Sequence, residues 1–223
     1  MSLSYLAKLA IYLLPGLKFT LALFLITIVC AMPLGLLLTF GRNSRIPLIS
    51  APIGFYVWLM RGTPLLLQLF FIYFGLPFVP VIGQYLIMPR FAAACVAFIF
   101  NYAAYFCEIF RGGIRAVDKG QYEAAKVLGF SKWQTIRKIV IPQMLRVSLP
   151  PLSNETITLV KDTALITVIA VTELLYFAKS AVNRDVNPTA YLVAALFYLT
   201  MTYGLTKLFR YLEKRFDYEG EGS

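Results

Sequence analysis

Histidine is absent from the 223 residues. That removes imidazole catalysis, histidine metal sites and the side chain that ordinarily senses physiological pH. Cysteine is scarce. Cys30, Cys95 and Cys107 lie inside apolar runs with no CxxC spacing, the pattern of small buried hydrophobes rather than of a redox or metal centre. Charge is scarce too: Asp, Glu, Lys and Arg make up 14 % of the chain, where a soluble globular protein carries about a quarter. No GxxxxGK[ST] loop is present to cradle nucleotide phosphates. No constellation of nucleophile and base is present either. These absences exclude most soluble enzymes, and the low polarity excludes a disordered binder.

What the sequence has instead is apolar length. Hydrophobic residues make up 59 % and the mean hydropathy is +0.72. Runs near bilayer length, about 20 residues, recur at 17–40, 47–75, 91–110, 152–177 and 190–209. The expectation is an all-α integral membrane protein, one transmembrane domain over residues 1–223 with five spans. Arg61-Gly62-Thr63-Pro64 interrupts the second span. The stretch 76–88, with Pro77, Pro80 and Gly83, reads as an external loop with a short interfacial helix. A cleavable signal peptide is not expected, because the first run ends in Met32-Pro33-Leu34-Gly35 without a small-residue cleavage site.

The net charge of +10 has to be placed on that topology. The loops on one side, Arg42 and Arg45, the segment 111–146 and the tail after Phe209, hold 13 basic residues, and the opposite loops hold 5. Basic loops stay in the cytoplasm. This predicts a multi-pass protein of the prokaryotic cytoplasmic (inner) membrane, with the N-terminus outside and the C-terminus inside. The charge maps a membrane face and does not call for nucleic acid.

Residues 111–150 form the longest polar stretch. Within it, Gln121-Tyr122-Glu123-Ala124-Ala125-Lys126-Val127-Leu128-Gly129 predicts a short helix stopped by glycine. Phe130, Trp133, Ile136, Ile139 and Val140 continue an amphipathic pattern. Taken alone, the pattern fits an interfacial helix among anionic lipid headgroups as well as it fits a docking site for a partner. Glu123-Ala124-Ala125, Gly129 three residues on, then nine residues and Ile139-Val140-Ile141-Pro142 is similar to the cytoplasmic signature of ABC importer permeases. The departure is Ile141 where leucine is usual. Trp58 to Pro64 with Leu65 to Gln68, Ala103-Ala104-Tyr105 with Glu108 and Arg111-Gly112-Gly113-Ile114, and Leu159-Val160-Lys161-Asp162-Thr163 resemble the polar amino acid branch of that family.

The resemblance implies a type I importer permease fold: five transmembrane helices with a cytoplasmic coupling helix between the third and fourth. It implies Glu123, Ala124, Ala125 and Gly129 as the residues that couple to a separate ATPase. The implied partners are two ATPase subunits, a second permease copy (a homodimer is the simpler expectation) and an extracytoplasmic amino-acid-binding protein. No cofactor is expected in this chain, since ATP–Mg would be bound by the ATPase, and the chain is not expected to be an enzyme.

Polar side chains inside spans are costly and point to function. In the fourth span Asn154, Glu155, Thr158, Lys161 and Asp162 fall within an arc of about 120° on a helix of 3.6 residues per turn. Glu155 and Asp162 share nearly one azimuth, roughly 10 Å apart along the axis. These two acids are the candidates for an ammonium or cationic group. Asn154, Thr158 and Lys161 are the candidates for orienting the substrate. In the second span Pro64 cannot donate to the carbonyl of Met60. Two readings of that break stand: Arg61 and Gln68 face a substrate beside exposed backbone, or Arg61 ties down the freed carbonyls. Two acids and one base on the stripe lean toward arginine, lysine or histidine, with glutamine-like neutral amino acids next. A stand-alone ion channel or proton-coupled carrier would use the same stripe but would not need the patterned cytoplasmic loop.

Overall fold

The computed structural model describes residues 3–218. The first two and last five residues of the expected 1–223 domain, both chain termini included, lie outside the described residues. The described chain is helical, with no strand. Three helices are long and apolar enough to cross a membrane, and the number rises to five when each of two bent helix pairs counts as one span.

Helix α1, Leu3–Arg42, starts well before the expected boundary at 17 and runs through Pro15 and Pro33. Its first turns are not a loop because Leu9 and Leu13 bury against Leu174, Ala178 and Ala181 of α8, Leu174–Asp185. At about 1.5 Å per residue its 40 residues reach roughly 60 Å, twice the hydrocarbon thickness. Farther along, α1 packs on α4, Arg90–Ala116. Small residues make that approach possible: a Cβ on Gly35 would stand 2.7 Å from Phe106 Cβ. Thr39 closes the contact by donating to the Cys107 carbonyl at 3.0 Å.

The expected second span is two helices. Helix α2, Pro47–Gly62, ends at the Thr63-Pro64 break, and α3, Leu65–Phe70, leaves it at 106°. A π turn, Phe71–Gly75, ends the expected second span, and two short 3₁₀ turns, Leu76–Phe78 and Gly83–Tyr85, lie in the expected external loop. The bend is much sharper than an interrupted straight span, because Pro64 both withdraws a donor and pushes Thr63 into extended geometry (φ −120°, ψ 146°).

Two cytoplasmic-segment helices follow α4: α5, Lys119–Val127, and α6, Lys132–Thr135. A π turn, Ile136–Val140, leads into α7, Ile141–Asp162, which tightens to a 3₁₀ helix over Thr163–Ile169. The helix that carries the expected fourth span therefore starts well before residue 152. Pro150 and Pro151 sit inside one helical rod that begins at Lys132. The rod stops at Ala170, whose left-handed backbone (φ 56°) turns the chain by 55° into α8. Glu173 caps α8: its carboxylate accepts from the Leu175 and Tyr176 amides at 2.8 and 2.7 Å, from Tyr198 at 3.0 Å and from Thr167. Helix α9, Thr189–Tyr218, completes the fold. Its Tyr198 and Met201 pack against the two larger apolar clusters of the core.

Candidate functional site

A cavity of about 500 Å³ lies where the start of α3, the middle of α4 and the end of α7 meet. That is the size of a small-molecule pocket. Its walls include Thr63 to Leu66 from the break, Asn101, Tyr102 and Tyr105 from α4, and Glu155, Thr158, Asp162 and Leu165 from the last rod. The lining holds two carboxylates and no lysine or arginine. Asp162 accepts a hydrogen bond from the buried Tyr102 hydroxyl at 2.7 Å. Tyr102 is itself wedged against Phe98, with near-parallel rings 6.2 Å apart. This fixes one acid oxygen of Asp162 in position.

The cavity selects among the residues of the α7 stripe. Glu155, Thr158 and Asp162 line it; Asn154 and Lys161 do not, and both are exposed. On a helical wheel the three lining residues span about 60°, with Asn154 and Lys161 to one side of them. The polar stripe is thus wider than the cavity it feeds.

The helix break is organised differently from either expectation. The Met60 carbonyl, freed by Pro64, accepts from Gln68 Nε2 at 2.8 Å and from Asn101 Nδ2 at 3.1 Å. Gln68 also donates to the Thr63 carbonyl and hydroxyl at 3.1 and 2.8 Å, and its Oε1 accepts from Asn101 at 3.0 Å. Gln68 is therefore occupied in holding the bend and lies outside the acidic cavity, on an apolar groove with Leu59, Leu67 and Phe71. Arg61 ties down none of these carbonyls. It lies over the Tyr105 ring at 5.4 Å and 3.8 Å from Glu108, in a neighbouring cavity. Glu108 is held on both oxygens by Arg111, one turn on in α4.

Asn101, Tyr102 and Tyr105 were not singled out as site residues in the sequence. The available signal was an amide and two hydroxyls in an otherwise apolar run, since polar groups in a span need partners.

The cytoplasmic segment carries a second candidate surface. Asp118 caps α5, accepting from the Gly120 amide at 2.7 Å. The helix closes in a Schellman motif, with Phe130 donating to the Ala125 carbonyl at 2.9 Å and Gly129 to Lys126 at 3.1 Å. Gly129 has φ +75°, the conformation a glycine stop provides. Ser131 and Gln134 then form a reciprocal capping box for α6. Ala125 is buried inside the chain's own fold, whereas Glu123, Ala124 and Gly129 are exposed. Val127 and Leu128 are 87 % and 72 % exposed, and Trp133 is 64 % exposed. Such apolar side chains on a polar segment mark an interaction surface.

Residues 31–218 match the family described as binding-protein-dependent transport system inner membrane component. The chain belongs to that family. It is the permease component of an ABC transporter, and ATP hydrolysis belongs to a separate subunit in this family. The chain is 38 % identical over 188 residues to the probable amino-acid ABC transporter permease protein YckA of Bacillus subtilis (strain 168), covering 84 % of this chain and 81 % of that one. It is 37 % identical to the histidine/lysine/arginine/ornithine transport system permease protein HisM of Escherichia coli (strain K12), over 92 % and 88 % of the two chains. It is 36 % identical to the L-cystine transport system permease protein TcyB of Bacillus subtilis (strain 168), over 91 % and 85 %. The permease superposes with a TM-score of 0.86, at 33 % identity, on a chain from the crystal structure of an amino acid ABC transporter with histidines, covering 96 % of this chain and 99 % of that one. The type I importer permease fold is thereby established for this chain.

Proposed function

We propose that this permease carries a cationic amino acid (arginine, lysine or histidine) into the cytoplasm through the cavity between α3, α4 and α7. The observation that carries this reading is the lining itself, which holds Glu155 and Asp162, while the basic side chains that act on them, Arg61 on Glu155 and Lys161 on Asp162, stand outside it. A cationic amino acid brings two positive groups and one carboxylate. Two acids match the cations, and the Thr158 and Tyr105 hydroxyls supply donors for the carboxylate. A neutral amino acid would leave one acid unmatched in a site of low polarity, which is costly. Names of the relatives disperse over basic amino acids, cystine and octopine, so the cargo is argued from the cavity rather than from kinship.

Asp162 and Glu155 take the ammonium and side-chain cations, with Tyr102 holding Asp162 in place. Thr158 orients the cargo. Arg61 stands behind the Tyr105 ring, Gln68 holds the bend, and Asn154 and Lys161 lie on α7 beside the cavity. Two permease copies, two ATPases bound at Glu123, Ala124, Ala125 and Gly129, and an extracytoplasmic binding protein complete the transporter. The basic end of the helices faces the cytoplasm, with the N-terminus outside. ATP-driven closure of the ATPase pair pushes on α5, and the rod from Lys132 carries that motion to Asp162.

The test is Glu155→Gln in the assembled transporter reconstituted in liposomes. Arginine uptake should fall by about tenfold or more, the scale of a lost charge-assisted hydrogen bond, while glutamine uptake changes little. An equal loss for both would reject the charge-selective role.

A further inference from the structure

A second cavity, of about 410 Å³, lies apart from the acidic one, at the end of the helices that carries Arg42 and Arg111. It is lined by Arg42 from α1, Trp58 and Arg61 from α2, and Glu108 and Arg111 from α4, together with the backbone around Gly54 and Gly62. Three guanidinium groups meet one carboxylate. Arg111 bonds Glu108 through two nitrogens, so that pair is closed. Arg61 approaches the same carboxylate at only 3.8 Å, and its side chain is 43 % exposed. Arg42 is less committed still. Its Nη1 donates to the Ser50 carbonyl at 3.3 Å, and its Nε is buried with no partner. Room for this guanidinium comes from Gly54, where a Cβ would stand 2.8 Å from Arg42 Cζ. The cavity thus holds a formal excess of two positive charges with donors to spare, which calls for an anion.

Which anion follows from the chemistry of the rim. Guanidinium groups arriving from two helices suit a tetrahedral oxyanion, whose several oxygens accept from both at once. At the rim, Phe55 and Trp58 lie tilted against each other with ring centres 5.8 Å apart, and both are exposed on α2. An exposed indole next to arginine is a pairing that suits a lipid headgroup, its ring against the chains and the guanidinium on the phosphate.

We infer that this cavity binds a phosphate-bearing anion through Arg42 and Arg61, separately from the transported amino acid. The group is either the headgroup of an anionic phospholipid, with its chains along Phe55 and Trp58, or free phosphate.

The test uses the purified permease–ATPase complex, the native chain against Arg42→Gln, Gly54→Ala and Arg42→Lys. Native mass spectrometry follows binding of phosphatidylglycerol and of phosphatidylcholine with the same acyl chains. In a parallel arm, the melting temperature of the delipidated complex is read with and without inorganic phosphate. Two basic side chains near a headgroup correspond to roughly a thirtyfold preference for the anionic lipid. The native complex should show that preference, Arg42→Gln and Gly54→Ala should lose most of it, and Arg42→Lys should keep part. That pattern assigns the site to the headgroup. Stabilisation by inorganic phosphate that Arg42→Gln abolishes, without any lipid preference, assigns it to free phosphate. If neither lipid preference nor phosphate stabilisation depends on Arg42 or Gly54, the inference is wrong. Should Arg42→Gln fail to assemble, the comparison of Gly54→Ala with Arg42→Lys decides.

Discussion

Tyr102 is the residue on which the acidic cavity turns. Its ring is buried among Phe98, Tyr105 and Phe106, and its hydroxyl reaches Asp162 at 2.7 Å. The hydroxyl donates, so it both satisfies one carboxylate oxygen and fixes the direction of the other. Replacing Tyr102 by Phe keeps the ring packing and removes only that donor. Uptake of the cationic substrate should then require about tenfold more substrate for half-maximal rate, equivalent to ~1.4 kcal/mol, with the complex still assembled and its ATPase unchanged. Kinetics of uptake in liposomes measure this; an unchanged half-saturation would remove Tyr102 from the site. Sequence reasoning reached Glu155, Thr158 and Asp162 because ionisable and polar groups in a span stand out. It did not reach Tyr102, because a tyrosine in an apolar run is indistinguishable from core until its partner, 60 residues away, is known. Gln68 shows the opposite case. It was conspicuous as a polar side chain beside a proline, but the carbonyls that Pro64 frees lie nearest to it and claim it.

At the scale of elements, two devices were legible and two were not. The glycine stop of α5 was legible because Gly129 sits where a left-handed residue must follow the helix, and its φ of +75° bears this out. The broken α2–α3 pair was legible as a break, but not as a bend of 106°, since the angle depends on how α3 seats against α4. The long extension of α1 and the continuous rod through Pro150 and Pro151 were missed. Apolar run length marks where a span can lie and not where its helix begins, and burial of one helix face carries the helix through the prolines. The coupling role proposed for α5 makes a prediction at this scale. Gly129→Ala forces an alanine into left-handed backbone at about 1–2 kcal/mol and shifts the turn that joins α5 to the rod. Glu123→Ala removes an exposed acid from the same surface without strain. Both variants should insert and assemble while ATP hydrolysis ceases to drive uptake, read as the ratio of cargo imported to ATP hydrolysed. A normal ratio in both would refute the coupling role.

Across the whole molecule, polarity is distributed by purpose. Most basic residues lie around Arg42, in the segment 111–146 and after Phe209, where the structure carries them mostly on helix ends and short helices and not in loops. One pair of acids lines a cavity inside the helices, and one cluster of arginines lines another at their basic end. The family and the five-helix arrangement were legible from apolar run lengths and from the spaced cytoplasmic signature, because those are one-dimensional patterns. The separation of an acidic cavity from a basic one was not, because it arises only when α3 and α7 meet one part of α4 and α1 and α2 meet another. The account stands or falls on the charge of what passes through. The decisive measurement is ATP-driven uptake of radiolabelled arginine, glutamine and glutamate by the assembled native transporter in liposomes, at equal concentration and with an arm lacking the ATPase. The account predicts arginine imported fastest, glutamine slowly, glutamate not at all, and no accumulation without the ATPase. Preferred import of glutamate, or equal uptake without the ATPase, would contradict it.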